Sequence, residues 1–378
     1  MGGPKHKLAW LQALRGIAAG MVVLVHSRSA LLDAGAGKLL ADRLLPLAMG
    51  VDLFFIISGF LMVLTTRDCD GSAAYARQFA AKRIARIWPL FAVVSVLAVA
   101  VEHGFRGYLD AAVLQPYLEG LLFMPHDPAA SGIYFRMAVG VAWTLCFECY
   151  FYLVFALGML FGRWRYAAMA AWFGVTLVAV PWLRGHYSLD VATRPLVAWS
   201  RYANLAVNPI VWDFIAGMLA AWLYQSDIKI RKPASIYIGV AVLLIALLLA
   251  WHRLGMLNFF GPRGWGAPLA ILFAGIALRA KLGSMQVPAW LVWLGNISYS
   301  LYLMHVYVFE LVQDAVSAVP LQHRTAAILL LAIRPLAAVM CAWAVFRYIE
   351  APLSAQTRRL LHIVGVPAIR AASKQRTA

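Results

Sequence analysis

Residues 46–66 read Pro46-Leu47-Ala48-Met49-Gly50-Val51-Asp52-Leu53-Phe54-Phe55-Ile56-Ile57-Ser58-Gly59-Phe60-Leu61-Met62-Val63-Leu64-Thr65-Thr66. A helix needs about 20 mostly apolar residues to cross the hydrocarbon core of a bilayer, and this stretch supplies them with Asp52 as its one charge. Segments of the same character lie on either side, at 8–27, 85–103, 138–161, 166–183, 202–225, 235–252, 264–282, 290–313 and 325–348. Together they predict an all-α, polytopic integral membrane protein with about ten transmembrane helices.

The composition agrees. Of the 378 residues, 63% are hydrophobic and 13% charged, and the mean hydropathy is +0.76. Soluble domains carry roughly 25% charged and 45–50% apolar residues, so water could not accommodate this much apolar surface. The net charge of +17 raises the question of a nucleic-acid partner. The basic residues form short clusters between apolar segments rather than one soluble face, which points instead to anionic lipid headgroups and an anionic co-substrate. Cys146 and Cys149 flank Glu148 on a predicted helix and read as buried thiols.

Lys5-His6-Lys7 precedes an apolar run that Arg15 interrupts and that continues to Val25, which predicts an uncleaved first helix rather than a signal peptide. The positive-inside rule orients the set. With both termini cytoplasmic, the larger share of the 33 Lys and Arg residues falls inside, including Arg67, Arg77, Lys82, Arg83, Arg86, Arg163, Arg165, Lys229, Arg231, Lys232, Arg279 and Lys281. The connection 104–137, with Pro116, Pro125, Pro128 and Gly132, predicts an ordered outer loop. One transmembrane domain over 1–354 and a basic cytoplasmic tail over 355–378 complete the layout.

Ionisable groups inside a bilayer cost at least ~2.5–3.5 kcal/mol each and so mark functional positions. Arg15 and His26, eleven residues apart, fall within roughly 20° of one helix face and about 16 Å apart along it. Asp52 opens the next span at a similar depth to His26, while Ser58-Gly59 lies nearer the middle, where small residues favour close packing. Arg83 and Arg86 share a face at the cytoplasmic start of the third span, as a fork for phosphate groups or as an anchor to lipid phosphate. In Trp143-Thr144-Leu145-Cys146-Phe147-Glu148-Cys149-Tyr150-Phe151-Tyr152, the i, i+4 series Thr144, Glu148, Tyr152 makes a polar stripe around one carboxylate. A histidine with carboxylates nearby is what general acid–base chemistry on a hydroxyl needs. Ser298, Tyr302 and His305 share a later face, and Glu350 at the inner surface reads as an arginine partner. No metal is expected, since His26 and His305 lie on separate helices without a ligand cluster.

These residues resemble acyltransferase family 3, the membrane acyltransferases of exopolysaccharide, O-antigen and Nod-factor sugars. The resemblance rests on Arg15 with His26 and on Gly50-Val51-Asp52 through Ser58-Gly59-Phe60. It continues in Arg83-Ile84-x-Arg86-Ile87-x-Pro89, Trp143-Thr144-Leu145-x-x-Glu148-x-x-Phe151-Tyr152, Ile297-Ser298-Tyr299-Ser300-Leu301-Tyr302-x-x-His305 and Tyr348-x-Glu350-x-Pro352. Asn208-Pro209, Asp213-Phe214 and Arg263-Gly264-Trp265-Gly266 look like the branch of exopolysaccharide-production acetyltransferases. That branch often has Glu where Asp213 stands.

The resemblance implies acyl-CoA, acetyl-CoA first, as cytoplasmic co-substrate and a glycan or lipid-linked saccharide as acceptor, in the bacterial inner membrane. It also implies His26 as general base, Glu148 orienting its imidazole and Asp52 assisting. Arg83 and Arg86 would hold the CoA phosphates, with Arg15 along the pantetheine path. Ser58, Trp143, Thr144, Tyr152, Tyr302 and His305 are further pocket candidates. Membrane lipids are partners, a homo-oligomer or polysaccharide-assembly proteins are possible ones, and direct transfer and a covalent acyl-enzyme both remain open. The competing class is a transporter of a glycan or lipid intermediate, with the buried ionisable groups as a proton relay.

Overall fold

A computed structural model describes residues 8–33, 38–126, 136–191, 200–227, 260–283, 285–320 and 322–363, with isolated positions between 192 and 259. The described residues are helical and include no strand. Helix α1 (Ala9–Ser27) carries both Arg15 and His26. A short 3-10 turn, Leu45–Met49, leads into α2 (Gly50–Thr65), the most deeply packed span. Ser72 starts α3 (Ala73–His103) by accepting from the Tyr75 amide at 3.1 Å, satisfying one donor that a helix start leaves unpaired.

The connection expected as a loop contains α4 (Ala111–Leu121), capped by Asp110, whose carboxylate accepts from the Ala112 amide at 2.8 Å. Pro116 is accommodated within this helix, so the prolines that suggested irregular chain did not prevent it. Next come α5 (Trp143–Met159) and α6 (Arg165–Gly174), which widens into a π-turn over Val175–Ala179. The segment expected as one span over 202–225 is two helices, α7 (Arg201–Val207) and α8 (Val211–Gln225), bent by 49°. Pro209 supplies no amide at the break, and Asn208 fills in by accepting from the Ile210 amide at 2.9 Å.

Beyond it lie α9 (Gly266–Lys281), then α10 (Ala289–Asn296) and α11 (Ser298–Ser317), separated at Ile297. Helix α12 (His323–Val345) runs through a π-turn at Phe346–Glu350 into α13 (Ala351–Ile363). The last helix therefore continues past residue 354, where the tail was expected to begin. The expected span 235–252 lies largely outside the described residues.

Among the described residues six helical stretches are long and apolar enough to cross a membrane: Ala9–Leu32, Ala41–Thr65, Ala73–His103, Gly140–Met159, Gly162–Leu183 and Thr325–Leu361. Counting the bent α7–α8 pair as one span makes seven. The protein is a multi-pass membrane protein. Its outer spans expose large apolar side chains such as Leu153, Leu157, Trp172, Leu336 and Met340, as surfaces that meet lipid do.

The centre is built on phenylalanine. Phe151 stacks on Phe214 with centroids 3.9 Å apart, and Phe55 meets both Phe147 and Phe151 edge-on. Glycine brings α2 and α8 together: a Cβ on Gly59 would fall 2.0 Å from the Phe214 carbonyl oxygen, and one on Gly217 2.0 Å from that of Ile56. Association in lipid depends on such close contact because lipid tails are as apolar as the side chains. This crossing fixes how α2 is rotated about its axis, and so which of its residues face the site.

Candidate active site

Two cavities open between these helices. The first encloses about 780 Å³, its mouth included, and is walled by α1, α2, α3, α5 and α11. Arg15, Arg83 and Arg86 line it together with Glu148, so we call it the basic chamber. Arg83 is braced: it donates to the Thr65 hydroxyl at 3.0 Å and lies over the rings of Phe79 and Tyr152, 5.2 and 5.4 Å from their centroids. Arg15 donates to Ser298 at 2.9 Å and to Gln12 at 3.2 Å. Arg86 makes no hydrogen bond or ion pair to the described residues, although it lines the same wall.

The carboxylate of Glu148 accepts from Ser58 at 3.0 Å and from the phenol of Tyr152. The i, i+4 stripe thus places Thr144, Glu148 and Tyr152 on the chamber wall, with Ser58 facing them from α2. Ser58 is bonded to the chamber's carboxylate rather than serving only as a small packing residue. Glu350 accepts from Ser300, and no arginine lies within ion-pair distance of it among the described residues.

The second cavity, about 1040 Å³ with its mouth, is lined by His26, Arg28, Ser29, Trp143 and Phe260. This histidine chamber shares Val51 and Tyr302 with the basic chamber. Tyr302 is the polar part of that shared wall. Its hydroxyl donates to the Val141 carbonyl at 2.9 Å and accepts from Thr144 at 2.8 Å.

His26 lines the histidine chamber and is exposed to it. Its Nδ1 lies 2.9 Å from the Val22 carbonyl oxygen and 3.2 Å from Nε2 of His305. His305 is fully buried behind it, its own Nδ1 3.1 Å from the Leu301 carbonyl. Chain separation suggested that the two histidines stand apart; the packing of α1 on α11 brings them together. Among the described residues no group of three His, Cys, Asp or Glu gathers around them.

Two expected relationships are corrected. Glu148 was expected to orient the His26 imidazole, but it faces the basic chamber, bonded to Ser58 and Tyr152, with Tyr302 between the two spaces. Spacing along α5 gave its depth and left open which neighbour it met. Asp52 was expected to assist His26, yet it lines neither chamber. It is 0% exposed, accepts from the Gly261 amide, and is buried beside the carboxyl of Asp213. Asp52 shares a helix face with Ile56 and Gly59, and that face is turned to α8; Phe54, Ser58 and Leu61 face the chamber. Gly261, with φ +79°, turns its amide toward the carboxylate in a backbone conformation that other residues rarely adopt.

Reasoning from sequence missed Thr65, Tyr299, Arg28 and Phe260 as lining or bracing residues. Arg28 stands two residues beyond His26 and Tyr299 lies inside a quoted motif, so both could have been added by helical periodicity. Phe260 reaches the histidine chamber from a distant loop, and nothing local signals it.

Two chambers that meet between the helices, one lined by arginines and one by histidine, set charged and titratable groups side by side in a membrane protein. The family comparison specifies the class: residues 8–347 match the family described as "Acyltransferase domain", and the chain belongs to that acyltransferase family. It is similar to the exopolysaccharide production protein ExoZ of Rhizobium meliloti (strain 1021), 30% identical over 282 residues, covering 72% of this chain and 80% of that one. It is also similar to nodulation protein 10 of Rhizobium leguminosarum bv. viciae, 29% identical over 283 residues (70% and 72%). Acyltransferase MdmB of Streptomyces mycarofaciens is 25% identical over 333 residues (80% and 79%). No solved structure matches the chain.

Proposed function

We propose that this acyltransferase moves an acyl group, acetyl first among candidates, from acyl-CoA in the basic chamber to a hydroxyl of a glycan or lipid-linked saccharide in the histidine chamber. The observation that carries the reading is the meeting of the two chambers at Tyr302, with guanidinium groups on one side and His26 on the other. Three arginines against Glu148 leave the first chamber cationic, which suits the phosphates of a CoA ester. The exopolysaccharide and nodulation proteins among the relatives support a glycan acceptor. In this reading the protein sits in the bacterial inner membrane with about ten spans and both termini cytoplasmic, so that the donor enters from the cytoplasm.

The chemistry follows from the groups present. Arg86 and Arg83 hold phosphate oxygens, and Arg15, deeper along α1, lies beside the path of the pantetheine arm. The acceptor hydroxyl gives its proton to His26 as its oxygen attacks the thioester carbonyl. The C–S bond then breaks, and the proton passes from His26 to the departing CoA thiolate. Glu148 stays in the basic chamber as a counter-charge held by Ser58 and Tyr152. Asp52 takes no part in the transfer; it holds the loop at Gly261.

The test uses purified full-length protein in liposomes, labelled acetyl-CoA and the surface glycan of the producing cell. His26→Ala should abolish label transfer, and Arg86→Gln should raise the donor KM. Label transfer at the wild-type rate by a correctly inserted His26→Ala protein would sink the assignment. Movement of glycan with no change in its mass would favour the transporter.

A further inference from the structure

The proton positions in the His26–His305 pair follow from the partners of the ring nitrogens. The Val22 carbonyl only accepts, so His26 Nδ1, 2.9 Å away, carries a proton. The Leu301 carbonyl likewise requires a proton on His305 Nδ1, 3.1 Å away. A second proton on His305 Nε2 would point at the protonated Nδ1 of His26, 3.2 Å distant, and repel it. His305 Nε2 therefore presents a lone pair. It receives the Nδ1–H of His26, which that proton shares between His305 and Val22.

We infer that His305 is a positioning residue that holds His26 in its Nδ1–H tautomer, leaving the His26 Nε2 lone pair free to take a proton from an acceptor hydroxyl. Carboxylates commonly perform this task for catalytic histidines; here a neutral, buried imidazole does it. Val22 alone is a weaker brace, because within α1 its carbonyl also accepts the His26 backbone amide. His305 is itself fixed. It is fully buried, with the Phe309 ring edge-on at 5.7 Å and the Tyr302 ring at 6.1 Å. When His26 takes the hydroxyl proton, its Nδ1–H keeps both acceptors, so the ring need not turn between the two halves of the transfer.

The inference rests on His26 being the base, and its test separates the two claims. Full-length protein labelled with ¹⁵N-histidine, in lipid nanodiscs, reports the tautomer directly, with the His26 signals assigned by difference from a His26→Gln sample. The wild type should show a protonated Nδ1 and an unprotonated Nε2 at His26. His305→Gln places an amide oxygen near the position of Nε2; it should keep that pattern and kcat within about threefold of wild type. His305→Leu removes the acceptor; it should give mixed tautomers and lower kcat by ten- to a hundredfold with donor KM within about twofold. An Nε2–H tautomer at wild-type His26 overturns the inference, as does a His305→Leu protein with unchanged tautomer and kcat. If His305→Leu does not insert, the wild-type and His305→Gln spectra decide. Should His26→Ala transfer acyl groups normally while the spectra come out as expected, the catalytic reading fails and the tautomer assignment stands.

Discussion

Thr144 and Tyr302 are joined by a hydrogen bond of 2.8 Å at the place where the basic and histidine chambers meet. Tyr302 passes the bond on to the Val141 carbonyl at 2.9 Å, so the start of α5 is latched to the N-terminal part of α11. On the proposed function, a thioester that reaches His26 passes this tyrosine, whose ring stands between the two chambers. A ring in that place would keep water of the acceptor side from a reactive ester. Tyr302→Ala should raise acyl-CoA hydrolysis in the absence of acceptor by about threefold or more and lower the fraction of acyl groups transferred. Tyr302→Phe, which loses the latch and keeps the ring, should fall between. Release of free CoA thiol, with and without acceptor, measures both. Hydrolysis in Tyr302→Ala no faster than in wild type removes the sealing role.

The two chamber arginines of α3 should separate in their effects. Arg83 is held by Thr65 and by two aromatic rings, whereas Arg86 lines the wall with no hydrogen bond or ion pair among the described residues, Glu350 acting on it only at longer range. An unpaired guanidinium has its donors ready for ligand phosphate. Arg86→Gln is expected to raise the donor KM about tenfold, equivalent to about 1.4 kcal/mol of binding, with melting temperature unchanged. Arg83→Gln should also lower the melting temperature, since a cation–π contact at a partly exposed site contributes on the order of 0.5–1 kcal/mol. Steady-state kinetics beside thermal unfolding in detergent distinguish them. Equal effects on both quantities would mean that the bracing of Arg83 has no energetic weight.

How much of this could be read beforehand differs along the chain. Hydropathy located the long apolar helices, of which six, or seven with the bent pair, are long enough to span among the described residues, because lipid imposes a long apolar run on any span. The stripe Thr144, Glu148, Tyr152 was visible because helical spacing alone puts those residues on one face. Asp52 and Glu148 were assigned to the wrong neighbours for a shared reason. Periodicity gives depth and face within one helix, but the rotation of that helix against the others is set by contacts such as Gly59 on Phe214 and Gly217 on Ile56. The His26–His305 pair, 279 residues apart in sequence, depends on the packing of α1 against α11 and has no local signature.

Asp52 supplies a direct check on that correction. Its carboxyl is buried against Asp213 and accepts from the Gly261 amide, and two carboxylates held together out of water repel each other unless one of them carries a proton. An asparagine at position 52 can accept from Gly261 and donate to Asp213 without needing that proton. Asp52→Asn should therefore retain transfer within about threefold and leave stability equal or slightly higher, while Asp52→Leu, which strands the Gly261 amide and Asp213, should cost about 2–4 kcal/mol. A hundredfold loss of kcat in a well-folded Asp52→Asn protein would return the residue to the catalytic machinery.

The α2–α8 crossing predicts where the fold is least tolerant. A Cβ at Gly59 would lie 2.0 Å from a backbone oxygen of α8, a distance no side-chain rearrangement relieves. Gly59→Val should leave little monodisperse protein after extraction, while Gly174→Ala, whose Cβ would meet nothing within 4 Å, should behave as wild type. Size-exclusion profiles of the two variants at matched expression test this. Normal behaviour of Gly59→Val would show that the helices cross elsewhere.

Outside the spans, α4 is tied to α7 through Glu119, which accepts from Gln115 at 3.0 Å and from Arg201 at 2.9 Å. Those bonds, Gln115 first and Arg201 next, pull the Glu119 carboxyl down to about 2, with a smaller contribution from His126. A carboxyl lowered in the folded state gives stability that is complete above its unfolded value, about 4.3, and is lost as pH falls toward the folded one. The tie should therefore hold at neutral pH and weaken between about pH 4.3 and pH 2. Because the pair is partly open to solvent, with Arg201 39% and Glu119 18% exposed, water screens the interaction and the effect should be confined to α4 rather than unfolding the whole protein. Hydrogen exchange over residues 111–121, corrected for intrinsic rate, should quicken through that window in the wild type. In Glu119→Gln it should be faster at neutral pH and nearly flat with acid, because the charge that holds Arg201 is already gone. A wild-type profile as flat as the variant's would mean that Arg201 is held by the Pro125 and His126 carbonyls, to which it also donates at 3.1 and 3.3 Å.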